Sequence, residues 1–175
     1  MKNKATISFE VFPPKNKEGD ISSIYRTIDE LAKLNPDFIS VTYGAGGSTK
    51  GKTVEIASKI KNDYHIESVA HLTCISSTKE EVLAMCQQLK DNNIENILSL
   101  RGDYPRDDSF DKEKLEFHYA KDLNTLITNE FPHDFCLSGA CYPEVHTDAA
   151  CFEDDLKDGF LSILKIEPFL HKKAK

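Results

Sequence analysis

The chain has 175 residues and a formal net charge of −7, and 39% of its residues are hydrophobic. This hydrophobic fraction suffices for a packed core and excludes wholesale disorder, and the acidic balance argues against a nucleic-acid partner, which needs a basic face. No apolar run approaches the roughly 18 residues of a membrane-spanning helix, and no apolar signal segment follows the N-terminus, so we predict a cytoplasmic protein with no membrane partner.

The first predicted strand, residues 5–12, is rich in β-branched and aromatic residues and ends at two prolines. Its composition predicts a buried strand, and an ionised carboxylate is costly there unless it is paired or protonated. Glu10 is therefore a candidate functional residue, and the alternative is an edge strand with Glu10 in water. The alternation places Ser8, Glu10 and Phe12 on one face and Ile7, Phe9 and Val11 on the other.

Strand and helix patterns then alternate to the end of the chain. A helix with Asp20 as N-cap stops at Asn35-Pro36. The later predicted strands are 38–43, 68–73, 94–100 and 135–142. The helix after the second strand ends near Asn62. The helix after the third opens with a Thr78–Glu81 capping box and ends near Asp91. The next helix covers about 117–129, and the last begins near Phe152. Five strand-helix units in succession predict an α/β fold with parallel strands.

The carboxyl ends of these strands carry polar residues, which in a parallel α/β fold all open on the same side of the sheet, where ligands bind. Five polar strand ends in succession indicate a binding site. They carry Glu10, then Thr42 and Tyr43, then His71 and Thr73, then Arg101, Gly102 and Asp103, and finally Tyr142, Glu144 and His146.

Two other sites compete with this interpretation. Residues 46–53 match the phosphate-binding pattern G-x-x-x-x-G-K-T, which would make the chain a P-loop nucleotide hydrolase using Lys52 and Thr53. That loop follows the second strand, however, and leaves Glu10 without a role, so we favour a Gly/Ser-rich loop that approaches a ligand. The five cysteines include no C-x-x-C pair, which favours reduced thiols. A zinc site from His71, Cys74, Cys141 and His146 matches no known ligand spacing, so we predict no metal.

Five motifs in this order resemble the strand-end motifs of methylenetetrahydrofolate reductase. They are SFEVFPPK at 8–15, VTYGAGGST at 41–49, AHLTC at 70–74, LRGD at 100–103 and CYPEVH at 141–146. The resemblance implies a flavin-bearing (β/α)8 barrel of the TIM type, with about five β/α units in a partial flavin and folate domain over residues 1–158. It also implies that NAD(P)H reduces FAD and that the reduced flavin passes hydride to 5,10-methylenetetrahydrofolate, giving 5-methyltetrahydrofolate for one-carbon metabolism and methionine biosynthesis.

The resemblance also implies roles for individual residues. Glu10 would be the general acid that helps to open the folate imidazolidine ring, Asp103 would lie beside flavin and pterin, and Thr42 would join them in binding folate. The sequence leaves open whether the chain forms a homo-oligomer. The FAD contacts that the resemblance implies are Thr42, Tyr43, His71, Arg101, Gly102, Asp103, Tyr119, Ala120, Tyr142, His146, Ala149 and Asp155.

The resemblance stops after Asp158, and residues 159–175 read as a divergent C-terminal tail, as after a frameshift or an early stop. A TIM barrel needs about 250 residues. We therefore expect an incomplete barrel that lacks three strands. The sequence leaves open whether this truncated chain is an active reductase or a non-functional fragment.

Overall fold

The structure is a computed structural model that describes residues 5–14, 21–43, 50–104 and 114–140. The predicted helix near Phe152 and the tail at 159–175 lie outside these ranges. No helix among the described residues is both long and apolar enough to cross a membrane. The elements in chain order are β1 (Ser8–Val11), α1 (Ser22–Ala32), β2 (Phe38–Val41), α2 (Lys50–Asn62), β3 (Glu67–Thr73), α3 (Lys79–Asp91), β4 (Asn96–Leu100), α4 (Ala120–Glu130) and β5 (Cys136–Gly139).

The strands form one five-stranded sheet in the order β1-β2-β3-β4-β5. In the parallel register, Glu10 lies opposite Ser40 and Ser40 lies opposite Val69, while Asn96 lies opposite Cys136. Consecutive parallel neighbours joined by helices are the arrangement of successive units in a (β/α)8 barrel. The predicted α/β class and strand order are confirmed.

The described residues divide into two compact units, one up to His71 together with Gln88–Glu95, the other Leu72–Gln87 together with the residues from Asn96 onward. The core of the first unit consists of apolar side chains from α1, β2 and α2 that exclude water completely. Its members with no exposed surface include Ile28, Ile39, Val41, Ile56 and Ile60. At the end of α2, the exposed Asn62 donates from Nδ2 to the Asn92 carbonyl at 2.9 Å.

The second unit has its own core, with side chains from β3, α3, β4 and α4. Phe117 is its largest fully buried side chain, and Leu72, Cys86, Ile97 and Leu123 are buried with it. The predicted capping box at α3 is confirmed. The Thr78 N–H donates to Glu81 Oε2, and the Glu81 N–H donates to Thr78 Oγ1, each at 3.2 Å.

Two predicted helix starts differ from the structure. At α1, Ile21 occupies the N-cap position with helical backbone angles and no side-chain cap. Asp20, the predicted cap, lies outside the described residues. The fourth helix begins at Ala120 and not near Phe117. The Asp122 carboxylate accepts hydrogen bonds from the His118 and Tyr119 N–H groups at 2.8 and 3.0 Å and so caps the N-terminus of the helix at this point.

The prediction of a buried first strand is wrong for the described residues. β1 is the edge strand of the sheet, with Val11 buried but Ile7 and Phe12 exposed. The Glu10 side chain is 47% exposed. The apolar composition of this segment therefore serves one face only, and the edge-strand alternative describes its setting better.

Candidate functional site

In the first unit, three neighbouring strands bring polar residues to one face of the sheet. Because side chains alternate along a strand, Glu10, Ser40 and Val69 share a face, and His71 lies on it two residues beyond Val69. We call it the Glu10 face. The opposite face carries Val11, Ile39, Val41 and Ala70, all buried. The sheet thus separates an apolar core from a face that carries an acid and an imidazole.

Glu10 and His71 approach each other on this face across β2. Oε2 of Glu10 lies 3.4 Å from Nε2 of His71, whose side chain is only 7% exposed. Nε2 is buried and has no hydrogen-bond partner. A buried nitrogen without a partner costs about 1–3 kcal/mol, so this atom is suited to a group that approaches the Glu10 face.

The environment of His71 favours its neutral form. Burial lowers the pKa of His71 below the ordinary value of 6.5, because the imidazolium ion loses its hydration, and the Glu10 carboxylate opposes this shift. Desolvation is the larger of the two effects. His71 is therefore a neutral imidazole near pH 7, able to donate or accept one hydrogen bond at Nε2.

Thr42 follows β2, and both its N–H group and its carbonyl group are hydrogen-bonded. Its N–H donates to the Val11 carbonyl at 3.0 Å, and its carbonyl accepts a hydrogen bond from Thr53 Oγ1 at 3.1 Å. Tyr43, the next residue, is partly buried. These contacts bear on the P-loop alternative, because Thr53 is only 1% exposed and its hydroxyl is bound to this carbonyl. A P-loop threonine presents its hydroxyl oxygen to Mg²⁺, and the burial of Thr53 does not suit that role, so the alternative is not favoured.

In the second unit, the end of β3 supports the turn after β4. The N–H groups of Cys74 and Ile75 both donate to the Arg101 carbonyl, at 3.3 and 2.9 Å. The guanidinium of Arg101 is exposed and lies 5.4 Å from the ring centroid of Tyr104. Asp103 is exposed as well. The backbone of this turn is thus fixed while its charged side chains face solvent.

Gly102 is required at the centre of this turn. Its φ of +83° is unfavourable for any residue with a Cβ, and an added Cβ would lie 3.0 Å from Cβ of Thr73. Within the described structure, the neighbour that a side chain at position 102 would meet is therefore Thr73. The methyl group of Thr73 also packs near it, 3.4 Å from that Cβ position.

The thiol of Cys74 links two stretches that the sequence had marked separately. Sγ lies 3.8 Å from the Arg101 carbonyl oxygen and 3.6 Å from that of Tyr119. Burial raises the pKa of Cys74 to about 12, with a further contribution from the charge of Asp122, so the thiol stays protonated and can donate. Sequence reasoning missed Cys74 and Asp122 as supporting residues. An acidic residue in the first turn of a helix is a capping signal, which could have identified Asp122.

Tyr119 and Ala120 stand at the start of α4, where Asp122 holds the Tyr119 N–H. The Tyr119 side chain is 44% exposed. Four other predicted site residues, Tyr142, His146, Ala149 and Asp155, lie outside the described residues, and so does Cys141. Their predicted contacts with FAD therefore stay predictions. In the described ranges, no group of three or more His, Cys, Asp or Glu side chains is arranged to hold a metal ion.

Parallel strands that alternate with helices and carry polar residues at their carboxyl ends define the class of (β/α)8-type α/β proteins. Comparison with known proteins narrows this class. The methylenetetrahydrofolate reductase family profile matches residues 1–161. The chain belongs to the methylenetetrahydrofolate reductase family.

The individual proteins that match this chain carry the name of the same family. The 5,10-methylenetetrahydrofolate reductase of Escherichia coli is 38% identical over 156 residues, which are 89% of this chain and 50% of that protein. Methylenetetrahydrofolate reductase (NADH) 1 of Zea mays is 37% identical over 147 residues, 83% of this chain and 25% of that protein. For methylenetetrahydrofolate reductase 1 of Schizosaccharomyces pombe the identity is 33% over 157 residues, 89% and 26% of the two chains. The chain thus spans half or less of the length of these relatives.

Proposed function

We propose that this chain carries part of the active site of an FAD-dependent oxidoreductase that uses NAD(P)H to reduce 5,10-methylenetetrahydrofolate to 5-methyltetrahydrofolate. The reaction would serve one-carbon metabolism and methionine biosynthesis. Membership of the family supports this proposal. The observation that carries it is the pair of Glu10 and His71, an acid beside a buried nitrogen without a partner, at the ligand-binding ends of parallel strands.

The described residues fit a flavin. The exposed Arg101 guanidinium suits its pyrophosphate, and the His71 ring lies on the same face of the sheet as Glu10. When bound, FAD would accept electrons from NAD(P)H and supply hydride to the folate. The residues we propose as its contacts are Thr42, Tyr43 and His71 in the first unit, and Arg101, Gly102, Asp103, Tyr119 and Ala120 in the second. Tyr142, His146, Ala149 and Asp155 complete the proposed set.

Glu10 is proposed as the general acid. A folate that covers its half-exposed carboxyl group would remove water from it and so favour the protonated form. The proton would pass from Oε2 to a nitrogen of the imidazolidine ring, the ring C–N bond would break, and the resulting iminium ion would be the hydride acceptor. We propose that Thr42 and Asp103 contact the same substrate.

The first experiment tests the cofactor with purified full chain. FAD is added, and binding is followed by quenching of flavin fluorescence. Arg101→Ala should weaken binding by about 10-fold or more, because a charge-assisted hydrogen bond contributes about 1.5–3 kcal/mol. Arg26→Ala, which removes an exposed arginine from α1, is the matched control and should bind FAD as the wild type does. Failure of the wild type to bind FAD would favour the non-functional fragment.

The second experiment separates the half-reactions by stopped-flow spectroscopy. Glu10→Gln should retain flavin reduction by NAD(P)H and lose folate reduction by about 10²–10⁴-fold, the contribution of a general acid. Glu67→Gln is the control, since Glu67 lies on the same sheet and pairs with Lys61. Equal slowing of both half-reactions in Glu10→Gln would mean that Glu10 supports the flavin or the fold. Binding of Mg-ATP that is lost in Lys52→Ala would favour the P-loop alternative.

A further inference from the structure

We propose that His71 is the positioning residue of the acid: its Nε2 shares a hydrogen with the Glu10 carboxyl group and holds that group on the Glu10 face. This inference deepens the proposed function and rests on it for the role of Glu10 in catalysis. The geometric part, a coupled pair of Glu10 and His71, belongs to the protein without any ligand.

The sheet brings these two residues together although a strand lies between them. Neighbouring strands are about 4.8 Å apart, so β1 and β3 are separated by roughly twice that distance. On the Glu10 face, Glu10 lies opposite Ser40 and Ser40 lies opposite Val69, and His71 is two residues beyond Val69, so the long Glu10 side chain reaches diagonally across β2. The result is the 3.4 Å approach of Oε2 to Nε2.

The two side chains differ in freedom, which decides which one positions the other. His71 is 7% exposed and sits in the central part of β3, so its ring is held by its surroundings. Glu10 is 47% exposed on an edge strand and can rotate its carboxyl group. A small rotation of Glu10 would complete the hydrogen bond that buried Nε2 lacks. The fixed ring therefore sets the position of the mobile acid.

The hydrogen bond has two states that differ by one proton, which Glu10 takes up from solvent and releases to the substrate, while the ring hydrogen of His71 is on Nε2 in one state and on Nδ1 in the other. A neutral imidazole with hydrogen on Nε2 donates to the carboxylate, and a neutral imidazole with a lone pair on Nε2 accepts from the carboxylic acid. Glu10 can therefore keep the same partner before and after it releases a proton. Among the described strand residues of this unit, the acidic groups on the Glu10 face are Glu10 and Glu67, and Glu67 is paired with Lys61 at 2.6 Å.

The test is an NMR titration of the full chain without flavin or folate, using histidine labelled at the ring. In Glu10→Gln the titration midpoint of His71 should fall relative to the wild type, because the substitution removes the carboxylate that opposes the desolvation of His71 and keeps the side-chain size. Glu67→Gln, at the other end of β3, should leave the His71 midpoint unchanged. The exposed His65, His118 and His133 serve as internal references for folding.

A second measurement on the wild type needs no variant. Nuclear Overhauser effects should connect the Glu10 side-chain protons to the ring protons of His71. If these effects are absent, or if the His71 midpoint is the same in Glu10→Gln and wild type, the proposal is overturned. Because neither measurement uses flavin or folate, a positive result with no FAD binding would refute the proposed function and leave the pair intact.

Discussion

Exposure to solvent sets the charge state of single side chains in this protein. His71 and Glu10 are 3.4 Å apart, yet the first is buried and the second is half exposed. Burial lowers the pKa of the imidazole, and it raises the pKa of the Cys74 thiol to about 12, since in both cases the charged form loses its water. Both groups are therefore neutral near pH 7 and act through hydrogen bonds.

The shift at His71 predicts how stability depends on pH. Because its pKa in the folded state lies below 6.5, the unfolded chain binds more protons than the folded chain between these two values. The free energy of unfolding should therefore rise with pH up to about 6.5 through this residue and fall as the solution becomes more acidic. His71→Gln should flatten this dependence in urea unfolding measured from pH 5 to 8. An unchanged slope in His71→Gln would contradict the prediction.

Gly102 predicts a substitution effect with a matched control. Gly102→Ala should destabilise the fold by about 1–3 kcal/mol, because the alanine must adopt a positive φ and its Cβ meets Thr73. Gly51, in α2, has no neighbour within 4 Å of an added Cβ. Gly51→Ala should therefore stabilise by about 0.5–1 kcal/mol. Urea unfolding of both variants measures the difference, and similar effects at the two sites would argue against strain at Gly102.

At the scale of elements, helix starts depend on specific caps. The start of α3 has the reciprocal bonds of Thr78 and Glu81, and the start of α4 is set by Asp122, which holds two N–H groups. The α3 cap follows from residues three apart in sequence. Asp122 also raises the pKa of Cys74, so this cap is connected to the turn that contains Arg101.

The capping box predicts a loss of stability on a single substitution. Thr78→Ala should destabilise by about 0.5–2 kcal/mol, since it leaves the Glu81 N–H without its partner. Ser76→Ala, at an exposed position before the helix, should change stability by less than about 0.5 kcal/mol. Thermal or urea unfolding compares the two, and equal effects would show that the Thr78 hydroxyl contributes nothing to the helix start.

At the scale of the whole molecule, ligand binding should increase the free energy of unfolding. If the proposed function holds, FAD at about 100 times its Kd adds roughly 2.7 kcal/mol to the free energy of unfolding and raises the Tm by several degrees. Mg-ATP at the same concentration should produce no shift, because the Thr53 hydroxyl is held by Thr42. Differential scanning fluorimetry measures both. A shift with Mg-ATP and none with FAD would reverse the assignment.

The alternation of strands and helices, their parallel class, the α3 cap and the family could all be predicted from the sequence. These features depend on near neighbours and on motifs with fixed spacing. The division into a domain at 1–158 and a tail at 159–175 stays a prediction. The predicted strand and helix bounds differ from the observed ones by a few residues at the ends. At these positions, pairing partners and caps decide which residues continue an element.

The edge position of β1 and the contacts between polar groups of different strands could not be predicted from local patterns. The composition of residues 5–12 predicted burial, but the exposure of Glu10 depends on the absence of a further strand beside β1 in the described sheet. The approach of Glu10 to His71 depends on the register of three strands, and the support of Arg101 by Cys74 depends on two loops that are distant in sequence. Local patterns specify elements, whereas distances between side chains on different strands arise only when the sheet is assembled.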